Sequence, residues 1–174
     1  MPQLGPVLDR APILIAQHMP PMFTAILAER LARISRRPAR EASHGETVEN
    51  GTIYVAPGGR HMCVEQREGK ATIALKDGPP VRRYRPAVDL LLESAAAMWG
   101  EHVLALILTG MGTDGAEGAA AVAASGGCVI VQDERSSVVW GMPHAAMRTG
   151  ACSAVLPLSE IAPQVVRLFQ GERS

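Results

Sequence analysis

Two polar residues stand out against apolar surroundings. Asp114 sits in the glycine-rich stretch LTGMGTDGAEG (108–118), which continues the apolar run VLALIL, and His18 sits in LIAQHMPP (14–21). A buried carboxylate that accepts from one imidazole nitrogen fixes the tautomer and leaves the other nitrogen free as a base. Such a couple is two-thirds of a hydrolytic triad and still needs a nucleophile. Each residue also has a plainer reading. Asp114 can cap the helix expected over 116–125, as aspartate commonly does, and His18 can be a loop histidine bonded to backbone.

The glycines admit a third reading. Gly110, Gly112 and Gly115 match the spacing of a dinucleotide fingerprint between a strand and a helix, with Asp133 near the end of the next strand. Against it, Asp114 places a negative charge where a helix N-terminus would receive pyrophosphate. The motif also comes late, and the residues after Asp133 are too few for a second nucleotide-binding half.

The elements that must position these residues follow from hydrophobic period. PILIA (12–16) and TIYVA (52–56) read as strands, and FTAILAERLARI (23–34) as a helix with Phe23, Leu27, Leu31 and Ile34 on one side. HMCVEQ and ATIALK, either side of REGK, read as an antiparallel hairpin. PAVDLLLESAAAMW (86–99) is a helix with Pro86 in its first turn. Strand 103–109, helix 116–125, strand 128–132, a short helix at MPHAAMR, strand 153–156 and the helix EIAPQVVRLF complete the chain. LGPVLDR near the start resembles the end of a helix whose preceding strand is absent.

The pattern is α/β: a doubly wound, mostly parallel sheet sandwiched by helices, with one β-hairpin, in a single domain. His18 and Asp114 each follow the carboxyl end of an expected strand, where ligand crevices form in open α/β sheets.

Composition narrows the function. Of 174 residues, 47 % are hydrophobic and 20 % charged, which suits a folded soluble domain. The 17 Lys and Arg balance the 17 Asp and Glu, so no basic field recruits nucleic acid, and an aromatic share of 3 % argues against base stacking. Cys63, Cys128 and Cys152 are not in CxxC pairs and read as buried thiols of a reducing compartment. His44, His61, His102 and His144 lack metal-ligand spacing, so neither metal nor cofactor is expected. No apolar run approaches the ~20 residues of a membrane span, and no export signal opens the chain, which points to the cytoplasm.

The stretches LIAQHMPPMFT, GTIYVAPGGRHM, DGPPVRRYRPAVDLLLESAA, LILTGMGTDGAEG and VQDERSSVVWGMPHAAM together resemble the catalytic domain of the CheB family, the protein-glutamate methylesterases of bacterial chemotaxis. The resemblance runs from about residue 11 to 165. It implies that His18 is the general base, that Asp114 orients it, and that Met111 belongs to the oxyanion site. It implies a glutamate methyl ester on the helical cytoplasmic domain of a chemoreceptor as substrate, glutamine deamidation as a second activity, and phosphorelay signalling as the setting.

The family's opening strand and its G-A-S-x-G-G motif, which carries the nucleophilic serine, have no counterpart here, nor has a receiver domain. Ser43, Ser94, Ser125, Ser136, Ser137 and Ser153 do not lie on a strand–turn–helix elbow that would expose a nucleophile. The expectation is therefore an N-terminally incomplete domain with little or no esterase activity, a sheet lacking an inner strand, and uncovered apolar surface. A receptor-binding module without catalysis is the alternative. Arg82, Arg83 and Arg85 around Tyr84 read as a solvated loop or, on the resemblance, as a contact for acidic receptor helices. Asp133 and Glu134 are expected to order their loop through backbone hydrogen bonds.

Overall fold

The computed structural model describes residues 2–171. A short helix α1 (Gly5–Leu8) leads into β1 (Ile13–Ile15) and α2 (Phe23–Ser35). Then come β2 (Ala39–Glu41), β3 (Ile53–Val55), and the hairpin strands β4 (His61–Arg67) and β5 (Lys70–Lys76). Next are α3 (Val88–Trp99), β6 (Leu104–Ile107), α4 (Ala116–Ala124) and β7 (Cys128–Gln132). The last elements are α5 (Met142–Arg148), β8 (Ala154–Leu156) and α6 (Leu158–Gln170).

The parallel strands form two groups ordered β1-β3-β2 and β6-β7-β8, and β4 pairs antiparallel with β5. The central strand of each parallel group sends alternate side chains to opposite faces, as a pleated strand must. Ile53 and Val55 of β3 pack with Ala28 and Leu31 of α2, whereas Tyr54 packs with the hairpin and Leu91 of α3. Val129 and Val131 of β7 pack with Val122 of α4 and Ala146 of α5, while Ile130 faces Ile161 and Val165 of α6. Helices on both faces make the expected doubly wound α/β architecture.

β1 and β6, like β2 and β8 at the opposite ends, are edge strands of their three-stranded groups among the described residues. Ile13, Leu14 and Ile15 are only half-buried, as are Leu104 and Leu106. Both strands thus have a row of backbone groups without a strand partner along one side.

Several expectations need correction. β2, with the polar sequence ARE, has no hydrophobic signature and was not anticipated; it exists because it pairs in register with β3, Ala39 opposite Ile53. The buried face of α2 is Thr24, Ala28 and Leu31, while Phe23 and Ile34 are exposed, because small residues let this helix lie close to β3. α3 begins at Val88, leaving Pro86 before the helix. Of the cysteines only Cys63 is buried; Cys128 and Cys152 are half-buried.

Candidate functional site

The site forms where the segments after β1 and β6 meet. His18 Nε2 donates to Asp114 Oδ2 at 2.6 Å, joining residues 96 positions apart. Asp114 is completely buried and 16 % of the His18 side-chain surface is accessible. The Nε2 hydrogen bond leaves Nδ1 as the nitrogen able to take a proton. No serine or threonine hydroxyl is bonded to His18 among the described residues.

Asp114 does more than hold the imidazole. Its Oδ2 also accepts from Val88 N at 2.7 Å and its Oδ1 from Asp89 N at 2.9 Å. These are the first two amides of α3, donors that an α-helix leaves without an internal partner. The plainer reading of Asp114 as the cap of α4 does not hold: α4 starts after Gly115 with no side-chain cap. Asp114 caps the neighbouring helix instead. Burial pushes its carboxyl up, but the bonds from His18, Val88 and Asp89 outweigh this and hold it below the ordinary carboxylate value. It stays ionised where a charge is needed.

The glycine turn is held by the loop ahead of α5. Gly141 N and Met142 N both donate to Gly110 O, at 3.1 and 2.8 Å, and Gly110 N donates to Val139 O at 3.0 Å. In a trans peptide the carbonyl and the next N–H point opposite ways. Met111 N–H is therefore turned away from this anchor and, among the described residues, donates to nothing. The Met111 side chain is 70 % exposed. A backbone N–H left without a partner is a group able to receive a developing negative charge. The anchoring loop is itself ordered as expected by Asp133, which accepts from Ser136 N and Oγ, and by the buried Gln132, which accepts from Thr109 N. Glu134 contributes only its carbonyl, to Ser137 N.

Two residues of the RRYR turn enter the site in ways the spacing did not show. Tyr84 stacks on the His18 ring, centroids 3.7 Å apart and planes 3° from parallel. Arg82 bonds Asp89 at 3.0 Å and pairs with Glu117, so its guanidinium is engaged within the fold although the residue stays exposed. Arg83 and Arg85 line an open cleft of about 410 Å³ with His18, Pro20, Pro21 and Tyr84. No signal in the sequence singled out Tyr84, since contact across the fold created its role.

Three of the four other histidines have structural partners: His61 bonds Ala87 N and Pro79 O, His44 accepts from Leu75 N, and His144 stacks on Trp140. Among the described residues no three His, Cys, Asp or Glu side chains converge as metal ligands, and no helix is long and apolar enough to cross a membrane.

A family model described as CheB methylesterase matches residues 1–165. A Rhodopseudomonas palustris protein named protein-glutamate methylesterase/protein-glutamine glutaminase of group 2 operon is 59 % identical over 171 residues, covering 98 % of this chain and 44 % of its own. A Paramagnetospirillum magneticum protein named protein-glutamate methylesterase/protein-glutamine glutaminase 1 is 57 % identical, covering 91 % of this chain and 42 % of its own. The chain thus spans less than half the length of these curated relatives. The crystal structure of the Thermotoga maritima CheB methylesterase catalytic domain superposes with a TM-score of 0.87 at 38 % identity, over 95 % of this chain and 91 % of that one.

Proposed function

The chain belongs to the CheB methylesterase family, and from that premise we propose that residues 1–174 form one methylesterase-type domain acting on glutamate methyl esters of chemoreceptors. The observation that carries the reading is the 2.6 Å bond between partly accessible His18 and fully buried Asp114. It supplies an oriented base with one free nitrogen at the carboxyl ends of two parallel strands.

The reaction is acyl transfer. A hydroxyl attacks the ester carbonyl as His18 Nδ1 takes its proton, and the Met111 N–H stabilises the oxyanion. Protonated His18 then gives that proton to the departing methoxide, releasing methanol. Water, deprotonated by His18, cleaves the acyl-enzyme and leaves a glutamate carboxylate. With a glutamine substrate the leaving group is ammonia.

The hydroxyl must come from outside the described set. Among the unpaired edges at β1, β2, β6 and β8, those of β1 and β6 lead into the segments that meet at His18 and Asp114, which supports a further strand joining these two. Arg83 and Arg85, on the cleft beside His18, suit an acidic helical partner in the cytoplasm, and charge reversal there should weaken receptor binding.

Methanol release from methylated chemoreceptors tests this. The 174-residue chain alone should turn over at or near background. The same chain with an opening strand and G-A-S-x-G-G joined ahead of it should be active and should lose roughly 10³-fold or more with His18→Ala. A folded, extended chain that binds receptor without releasing methanol would select the docking-module reading instead.

A further inference from the structure

We infer that Tyr84 is a positioning residue of this site, clamping the His18 ring and the Met111 peptide at a fixed separation; the inference rests on the role proposed above for those two residues. One side chain touches both. The phenol ring lies face to face with the imidazole, at 3.7 Å between centroids, and its hydroxyl donates to Met111 O at 3.1 Å. That bond and the pair of amides on Gly110 O grip the Met111 residue from both sides. The face of the phenol also lies against the positive charge that the imidazole gains when it accepts a proton.

The surroundings are shaped around this contact. A Cβ at Gly112 would come within 2.8 Å of the Tyr84 hydroxyl and 3.2 Å of its ring, so a side chain there would displace the phenol. Val81 and Tyr84 exchange backbone hydrogen bonds of 3.0 and 2.8 Å across a two-residue turn. The residues inside it, Arg82 and Arg83, have φ of 49° and 77°. Left-handed backbone of this kind is ordinarily left to glycine, asparagine or aspartate, so two successive arginines hold it against their own preference. Arg82 fastens the turn by bonding Asp89, Thr113 and Glu117 on α3 and the α4 side. The strained turn thus delivers Tyr84 to one place, between the base and the oxyanion turn.

The test compares Tyr84→Phe and Tyr84→Leu with wild type in the 174-residue chain by NMR, with thermal melts confirming that each variant folds. An aromatic face over an imidazole shifts the ring protons of His18 upfield. The Phe variant should keep that shift and move only the Met111 carbonyl carbon and the Gly112 amide. The Leu variant should lose the upfield shift and move those two signals as well. Positioning, as distinct from contact, is read from the Nε2–H of His18, which should exchange with solvent as slowly in Tyr84→Phe as in wild type and faster in Tyr84→Leu. Unmoved His18 ring signals in a folded Tyr84→Leu protein, or unmoved Met111 and Gly112 signals in Tyr84→Phe, would overturn the inference. None of these readouts requires turnover, so a failure here is distinguishable from a failure of the hydrolytic reading.

Discussion

The first turns of α3 and α4 exchange carboxylates, and the two exchanges differ in kind. Asp114, from the segment before α4, caps α3 through Val88 and Asp89. Asp89, within the first turn of α3, accepts from Gly118 N in α4 at 2.8 Å. Both carboxylates are buried, at 0 % and 1 % exposure. Asp114 nevertheless sits below the ordinary carboxylate range, and Asp89 above it. For Asp89, burial dominates, and the nearby Asp114 charge adds to it against the bonds from Gly118 and Arg82. For Asp114, two amides and an imidazole overcome burial. A buried carboxylate becomes a dependable anion by collecting donors, and the site uses the one that has collected more.

The largest expected effect that breaks this contrast is Asp114→Ala. It removes the cap of α3, leaves two amides unpaired and frees His18, at a cost of about 3 kcal/mol measured by denaturant unfolding. A cost near zero would mean that α3 does not depend on it. Next comes Gly118→Val. A Cβ at Gly118 would meet the Leu92 Cβ at 2.6 Å and the Asp89 Cα at 3.1 Å, so pushing α3 from α4 should cost about 2 kcal/mol. A variant as stable as wild type would show the helices to be less closely held. Asp89→Asn should cost less, about 1 kcal/mol, since it keeps an acceptor for Gly118 and relieves repulsion with Asp114.

The contrast also fixes the pH response. A depressed carboxyl contributes stability that is fully present above its unfolded value, near 3.8, and lost as pH falls through its lower folded value. The part of the stability gap between wild type and Asp114→Asn that comes from this carboxylate should therefore be lost only as pH falls below about 3.8. Asp89 has the opposite sign: its ionisation costs stability as pH rises from the ordinary value through its raised folded value. Asp89→Asn should narrow its deficit across that interval. A deficit that widened there would contradict the assignment.

Much of the fold was legible because it depends on period and punctuation. The strands at Ile13–Ile15 and Ile53–Val55, the hairpin and the helix at Ala116–Ala124 all lie within a residue or two of where their apolar patterns put them. The convergence of His18 and Asp114 followed from one topological rule about strand ends. What was hidden depends on neighbours distant in sequence. The strand Ala39–Glu41 is made by its partner, the exposed Phe23 by the packing of Thr24, Ala28 and Leu31 beneath its helix, and the cap on α3 by a residue beyond the next strand. Tyr84 is the sharpest case. Two arginines in left-handed backbone carry no turn signature, and only the packed structure shows the ring that they deliver.

The most direct test of the His18–Asp114 couple is a long-range proton–nitrogen correlation of the His18 ring in labelled protein at a pH where the imidazole is neutral. The expected spectrum shows the proton on Nε2, held toward Asp114, with Nδ1 bare, and Asp114→Asn disturbs that pattern. A His18 ring protonated on Nδ1, with a spectrum indifferent to Asp114→Asn, would contradict the account.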